Sequence, residues 1–443
     1  MSCIDMKKIG TILILMFFAF GKVLAQGKNT AIITADIDNF WTAFDKITST
    51  KDSSAQYNYI NSLFIDKGTS GLKAMMQARD YTSKSYIDAI NNYPLFWKSI
   101  RANTLRAKDF SNEIAVNVLK LKELYPDLKP AKVYFTIGAL RSNGTTLDSM
   151  VLIGSEIALG DQHTVTDEFP VNFKLLKAYF KSDPINIVVF TNIHEYVHTQ
   201  QKTTTGNSLL AQSLLEGVAE FIAEKTTGQL STLPAKAYGE SHKDRVKEIF
   251  TSQMFNSLPG FWLYSNTENE FGVRDLGYYV GYAICEKYYN GIKDKKRAIK
   301  EMIELNYNDE NALNNFVDQS GYFEKPVQAY KKEYEESRPV VIGIKQFKNN
   351  SIDVDPDVIQ ITIEFSSVMD KQFRNFELGP LGVNNLLKIK RFIGFSDDGK
   401  LVTFEVELKP AQHYQIIIGG GFRNTNGIRL KPYLVNFSTA SSR

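Results

Sequence analysis

The residues of this 443-residue chain best placed to do chemistry are His194-Glu195-Tyr196-Val197-His198. On an α-helix, residues four apart share one face, one turn above the other. The two imidazoles can therefore reach a single metal ion, and Glu195 beside them can take a proton from a water activated there. The competing interpretation is a pair of satisfied histidines on a helix surface. A catalytic metal of this kind needs three protein ligands and one open position, so a third donor has to come from elsewhere. Leu214-Leu215-Glu216-Gly217-Val218-Ala219-Glu220-Phe221 predicts a second helix with acids four apart, and either Glu216 or Glu220 can complete the set.

HEYVH followed by LLEGVAEFIAE and the later GYYVGYAICE resembles the gluzincin metallopeptidases, and more closely a family of predicted zinc-dependent proteases from exported bacterial proteins. The resemblance spans about Asp36 to Tyr289 and is specific around the two metal-site helices. It implies an α+β zincin-like core holding Zn2+ through His194, His198 and Glu216, the glutamate directly before the glycine. It also implies that Glu220 supports a ligating histidine from behind. Gly217, lacking a side chain, is expected to let its helix lie close against the HEYVH helix. The chemistry that follows is peptide-bond hydrolysis with Glu195 as general base. The oxyanion needs a further donor; Tyr279 and His242 are the candidates carried forward, with Tyr278 and Tyr282 beside them.

These residues need elements to hold them. Asp183-Pro184 predicts an N-cap and a proline at the first helical position. Ile187, Phe190, Ile193 and Val197 follow at the steps of a helix buried along one stripe. Leu276 to Tyr289, rich in tyrosine and glycine, reads as a closely packed helix. Val133 to Ile137 and Met150 to Leu159 predict neighbouring strands of one sheet, with Ser142-Asn143-Gly144 as turn chemistry between them. The second run is either the sheet edge above the metal, where a peptide adds as a strand, or an interior strand. His163 and His413 stand alone and read as incidental.

Around this core the chain divides into four parts: a signal peptide (1–25), a helical region (26–130), the zincin-like domain (131–337) and an all-β sandwich (338–443). Lys7-Lys8, the apolar run Ile9 to Phe20 and Val23-Leu24-Ala25 predict export with cleavage near Ala25, leaving no membrane span in the mature chain. Only Cys3 and Cys285 are present, and Cys3 leaves with the signal, so no internal disulfide is expected. After Ser337-Arg338-Pro339 short alternating runs take over, and Ile361 to Ser366 followed by Met369-Asp370 resembles the Ig-like modules of exported bacterial proteins. Such a module implies contact with a surface or a protein partner.

A net charge of +3 over this length gives no reason to expect nucleic acid or an acidic membrane. The leading expectation is an exported zinc metallopeptidase acting on peptides or proteins. The alternatives are an exported binding or scaffold protein with a peptidase-like metal core, and metal-dependent hydrolysis of another bond. An intact Glu195 favours an enzyme, because a purely structural metal site has no use for a base.

Overall fold

Asp36 and Asp38 open helix α1 (Ala35–Thr48), and Ile37, Phe40, Trp41, Phe44 and Ile47 bury one stripe of it. Helices α2 (Ser53–Ile60), α3 (Ser70–Arg79), α4 (Ser83–Asn92), α5 (Pro94–Leu105) and α6 (Ser111–Leu124) follow, so the early part of the chain is helical as its pattern implies. Asp36 does not cap its own helix. Its carboxylate accepts from the backbone N–H (2.8 Å) and hydroxyl (2.6 Å) of Thr69, the residue that caps α3. The computed structural model describes residues 31–265 and 269–441, and the expected signal segment lies outside them. Among the described residues no helix is long and apolar enough to cross a membrane.

A four-stranded sheet follows, in the order β1 (Ile32–Ile33), β2 (Lys132–Thr136), β4 (Met150–Gly154), β3 (Gly144–Leu147). Strands β1, β2 and β4 run parallel, and β3 turns back antiparallel to β4. The two expected strands are therefore neighbours. The Met150–Leu159 run is not the edge, however: β4 lies between β2 and β3, and the short strand β3 occupies the margin. Burial of Val151, Leu152 and Ile153 on both faces accounts for the continuous apolar sequence of β4. After Gly154 the run leaves the sheet as α7 (Ser155–Ala158). Helix α3 lies on the sheet at Gly71, where a Cβ would fall 2.2 Å from the ring of Tyr134.

Next come α8 (Lys174–Phe180), α9 (Val188–His198), α10 (Leu209–Thr227), α11 (Pro234–Ser241), α12 (Lys243–Gln253), α13 (Leu276–Gly291), α14 (Lys295–Ile303), α15 (Glu310–Ser320) and α16 (Val327–Ser337). Pro184 sits at the first position of a 3₁₀ turn, Pro184–Ile187, that runs straight into α9. Asp183, at φ 54°, does not cap it; its carboxylate instead accepts the backbone N–H of Gln162 at 2.8 Å.

The described residues form two compact units. The first draws on 31–207, 211–241 and 260–322, and the second on 208–210, 242–259 and 323–441. The second unit thus begins before Pro339 and includes α12 and α16. Its strands form two antiparallel sheets, β11 (Tyr433–Ser438)–β10 (His413–Ile418)–β7 (Phe376–Glu377) and β5 (Val341–Ile344)–β6 (Gln360–Phe365)–β9 (Leu401–Val406)–β8 (Ile389–Phe395). One apolar cluster takes Ile363 and Phe404 from one sheet and Ile416 and Phe437 from the other. The whole is a mixed α+β protein, helical first and antiparallel later.

In the first unit, α10 and α13 cross at glycines. A Cβ on Gly217 would lie 2.1 Å from the carbonyl carbon of Gly281, and one on Gly281 would lie 1.8 Å from the carbonyl oxygen of Ser213. Gly217 therefore opens its helix toward α13 and not, as the sequence implied, toward the HEYVH helix. Backbone cannot yield as a flexible side chain does. Gly281→Ala should lower stability by about 1–3 kcal/mol or more through overpacking. Gly291→Ala, at the open end of the same helix with nothing within 4 Å, should change it by under about 0.5 kcal/mol. Denaturant midpoints of the two variants make the comparison.

Candidate metal centre

Helix α9 carries His194 and His198 one turn apart, and α10 brings Glu216 across to them. All three are buried, at 9, 8 and 7 % exposure. The two Nε2 atoms lie 3.1 Å apart. Glu216 Oε2 lies 3.4 Å from Nε2 of His194 and 3.3 Å from Nε2 of His198. A tetrahedral ion bound at about 2.0–2.1 Å would place its donors about 3.3 Å apart, so the triangle has the dimensions of three such ligands. Two nitrogens and one carboxylate oxygen also form a donor set suited to zinc and its transition-metal neighbours. This buried group can hold a metal ion.

The far nitrogens of the rings fix the near ones. Nδ1 of His194 lies 2.9 Å from Oε2 of Glu220, an acceptor that draws the ring proton to that side. Nδ1 of His198 lies 2.6 Å from Oε1 of Gln201. The amide nitrogen of Gln201 donates to the carbonyl of Leu215 (3.0 Å) and to the hydroxyl of Tyr307 (2.9 Å). A carbonyl only accepts, so the amide orientation is settled and His198 must donate from Nδ1. In their neutral forms both rings thus turn an unprotonated Nε2 toward Glu216, the arrangement in which a histidine ligates metal. Glu220 is held in turn by the hydroxyl of Ser231.

Without a cation this cluster favours protons. Burial opposes charging His194, but Glu216 and Glu220 outweigh it and bring the ring up to about 10. His198 is likewise raised against its burial by Glu216. Burial pushes Glu216 up, yet the two imidazoles hold it well below the usual carboxylate range. The other oxygen of Glu216 accepts from the hydroxyl of Tyr264 at 2.5 Å and from the amide of Gln212 at 3.4 Å. With Oε1 occupied in this way, Oε2 is the oxygen that faces the two imidazoles.

Glu195 stands against the sheet margin: a Cβ on Gly144 of β3 would fall 2.8 Å from its Oε1. Burial raises its carboxyl above the ordinary range. The tyrosines of α13 separate by helical position. Tyr278 stacks on His194 with ring centroids 6.2 Å apart, and burial and the charge of Glu216 hold its hydroxyl protonated. Tyr279 packs instead against Gly239 of α11. Tyr282 donates to Glu224 at 2.6 Å. His242 precedes α12 in the second unit, whereas the metal cluster belongs wholly to the first.

Sequence reasoning missed Gln201, Gln212, Tyr264 and Glu156. Two of these carried a signal, since Gln201 stands three residues after His198 and Gln212 one turn before Glu216. Glu156, fully buried, accepts the backbone N–H groups of Gly138 (2.8 Å) and Leu140 (3.2 Å), and so fixes the loop that leads to β3. No protein-family model and no curated protein matches the chain.

Two outcomes follow from this geometry. Glu220→Ala should weaken metal binding roughly 10- to 100-fold, as loss of a residue orienting a ligand does. Glu216→Ala removes a donor from the triangle and should weaken it more; chelator competition on both variants orders them. Burial brings Glu156 up to about 7 from 4.5, so the folded state holds its proton more tightly than the unfolded chain. That contribution to stability is present below pH 4.5 and lost as pH rises through about 7, at up to about 1.4 kcal/mol per unit. Unfolding free energies measured across this range should fall in the wild type, and that component should vanish in Glu156→Gln.

Proposed function

We propose that the protein is a zinc-dependent metallopeptidase of the gluzincin type acting outside the cytoplasm, with an Ig-like module following the catalytic core. The observation that carries this reading is the position of Glu195. Its carboxylate lies against Gly144, on the strand at the sheet margin, and feels the charges of His198, His194 and Glu216. A metal that only stabilises a fold needs no base beside it.

His194, His198 and Glu216 would hold zinc, which supplies a Lewis acid for a carbonyl oxygen and lowers the pKa of water. Among the described residues strand β3 pairs with β4 along one side only, so a peptide can add along its other side and present its backbone to the site. Glu195 takes the proton from the attacking water and passes it to the leaving amine. Burial, by raising its carboxyl, makes Glu195 the stronger base for the first transfer. Tyr278, stacked on His194 and hydrogen-bonded to Glu216, keeps its proton and offers a hydroxyl that can turn to negative charge developing on the carbonyl oxygen. Gly144 leaves room for Glu195, where any side chain would displace the base.

Glu195→Gln keeps the volume and removes the base. It should retain the metal and lose roughly 10²- to 10⁴-fold in hydrolysis. Metal analysis and a peptide-library cleavage assay, run on the same preparation, test this. Cleavage at the wild-type rate by a metal-loaded variant would remove Glu195 from the mechanism.

A further inference from the structure

Arg79 has not been given a role above, yet its guanidinium reaches Gly144, which Glu195 touches, and its charge opposes the burial that raises the Glu195 carboxyl. It is the last residue of α3, and Asp80 ends the helix at φ 50°. The site is built to hold it: Nη1 of Arg141 donates to the carbonyl of Arg79 at 2.8 Å and to that of Asp80 at 3.0 Å. Arg141 itself lies over the ring of Tyr81, 5.4 Å from its centroid.

The side chain of Arg79 is poorly satisfied. A guanidinium carries five N–H donors. Here Nη2 makes one long bond, 3.4 Å, to the carbonyl oxygen of Gly144, and Nε is buried with no partner. Arg101, Arg297, Arg338, Arg391 and Arg423 each have a carboxylate in ion-pair contact. Arg79 has no such contact among the described residues; the carboxylate that feels its charge is Glu195, which makes no hydrogen bond to it. A partly buried cation with unused donors is costly unless an anion completes it, and a planar guanidinium takes a carboxylate through two parallel hydrogen bonds.

We propose that Arg79 is a substrate-specificity residue, binding a carboxylate of the peptide that lies along β3 close to the bond being cut. The carboxylate has two sources, an aspartate or glutamate side chain or the free C-terminus of the peptide. The inference rests on the peptidase reading, and the test separates the failure of one from the failure of the other.

The full mature chain carrying Glu195→Gln and loaded with zinc binds peptides without cleaving them. Fluorescence anisotropy with four labelled peptides reads the affinities: neutral and amidated, amidated with an internal glutamate, neutral with a free C-terminus, and amidated with an internal lysine. The glutamate peptide, the free-C-terminus peptide or both should bind roughly 10- to 100-fold more tightly than the neutral one; which of them does so identifies the source. Arg79→Gln should abolish that preference while leaving the neutral peptide within a few-fold, and Arg79→Glu should transfer it to the lysine peptide. Zinc content confirms that each variant is folded. A uniform loss across all four peptides, or a preference that survives Arg79→Gln, overturns the specificity role. If no peptide binds the zinc-loaded chain, the peptidase reading falls and the proposal falls with it.

Discussion

Two imidazole nitrogens and a carboxylate oxygen, held within 3.4 Å of one another and shielded from water, form an arrangement that repels itself unless something positive sits among them. Much of the first unit serves to keep that arrangement in place. Glu220 and Gln201 turn the rings so that lone pairs converge, Ser231 and Tyr307 hold those two, and Tyr264 and Gln212 occupy the spare oxygen of Glu216. A buried cluster held in this way, which takes up protons when no metal is bound, is more economically explained as a cation site than as packing.

The helices that bear the cluster are positioned from different sides. Helix α9 is fixed to the sheet, where Tyr196 accepts the backbone N–H of Ala131 at 2.8 Å. Helix α10 is fixed to α13 through Gly217 and Gly281. That crossing also sets Tyr278 over His194, one helical turn before Tyr282 reaches Glu224. Ligand geometry and the placement of the Tyr278 and Tyr282 hydroxyls therefore share one structural cause.

How much of this was legible depends on sequence distance. His194, Glu195 and His198 were readable because a helix turns a spacing of four into a shared face, and Glu216 with Glu220 for the same reason. Strand β3 was not, since four residues beginning with glycine show no alternation long enough to count. Its neighbour β4, apolar throughout, marked an interior strand but left the edge open. Strand β8 shows no clean alternation of buried and exposed residues, and its register shifts twice against β9. Arg79 and Tyr264 lie far from HEYVH along the chain, and no local pattern ties them to it; only the fold brings them in.

The account stands on a metal ion among His194, His198 and Glu216. Elemental analysis of the full protein, purified without chelators and compared with His194→Ala, addresses this most directly. Close to one zinc per chain in the wild type and almost none in the variant is the predicted result. A wild-type protein that is folded and monodisperse, carries no transition metal and takes none up when zinc is added would contradict it.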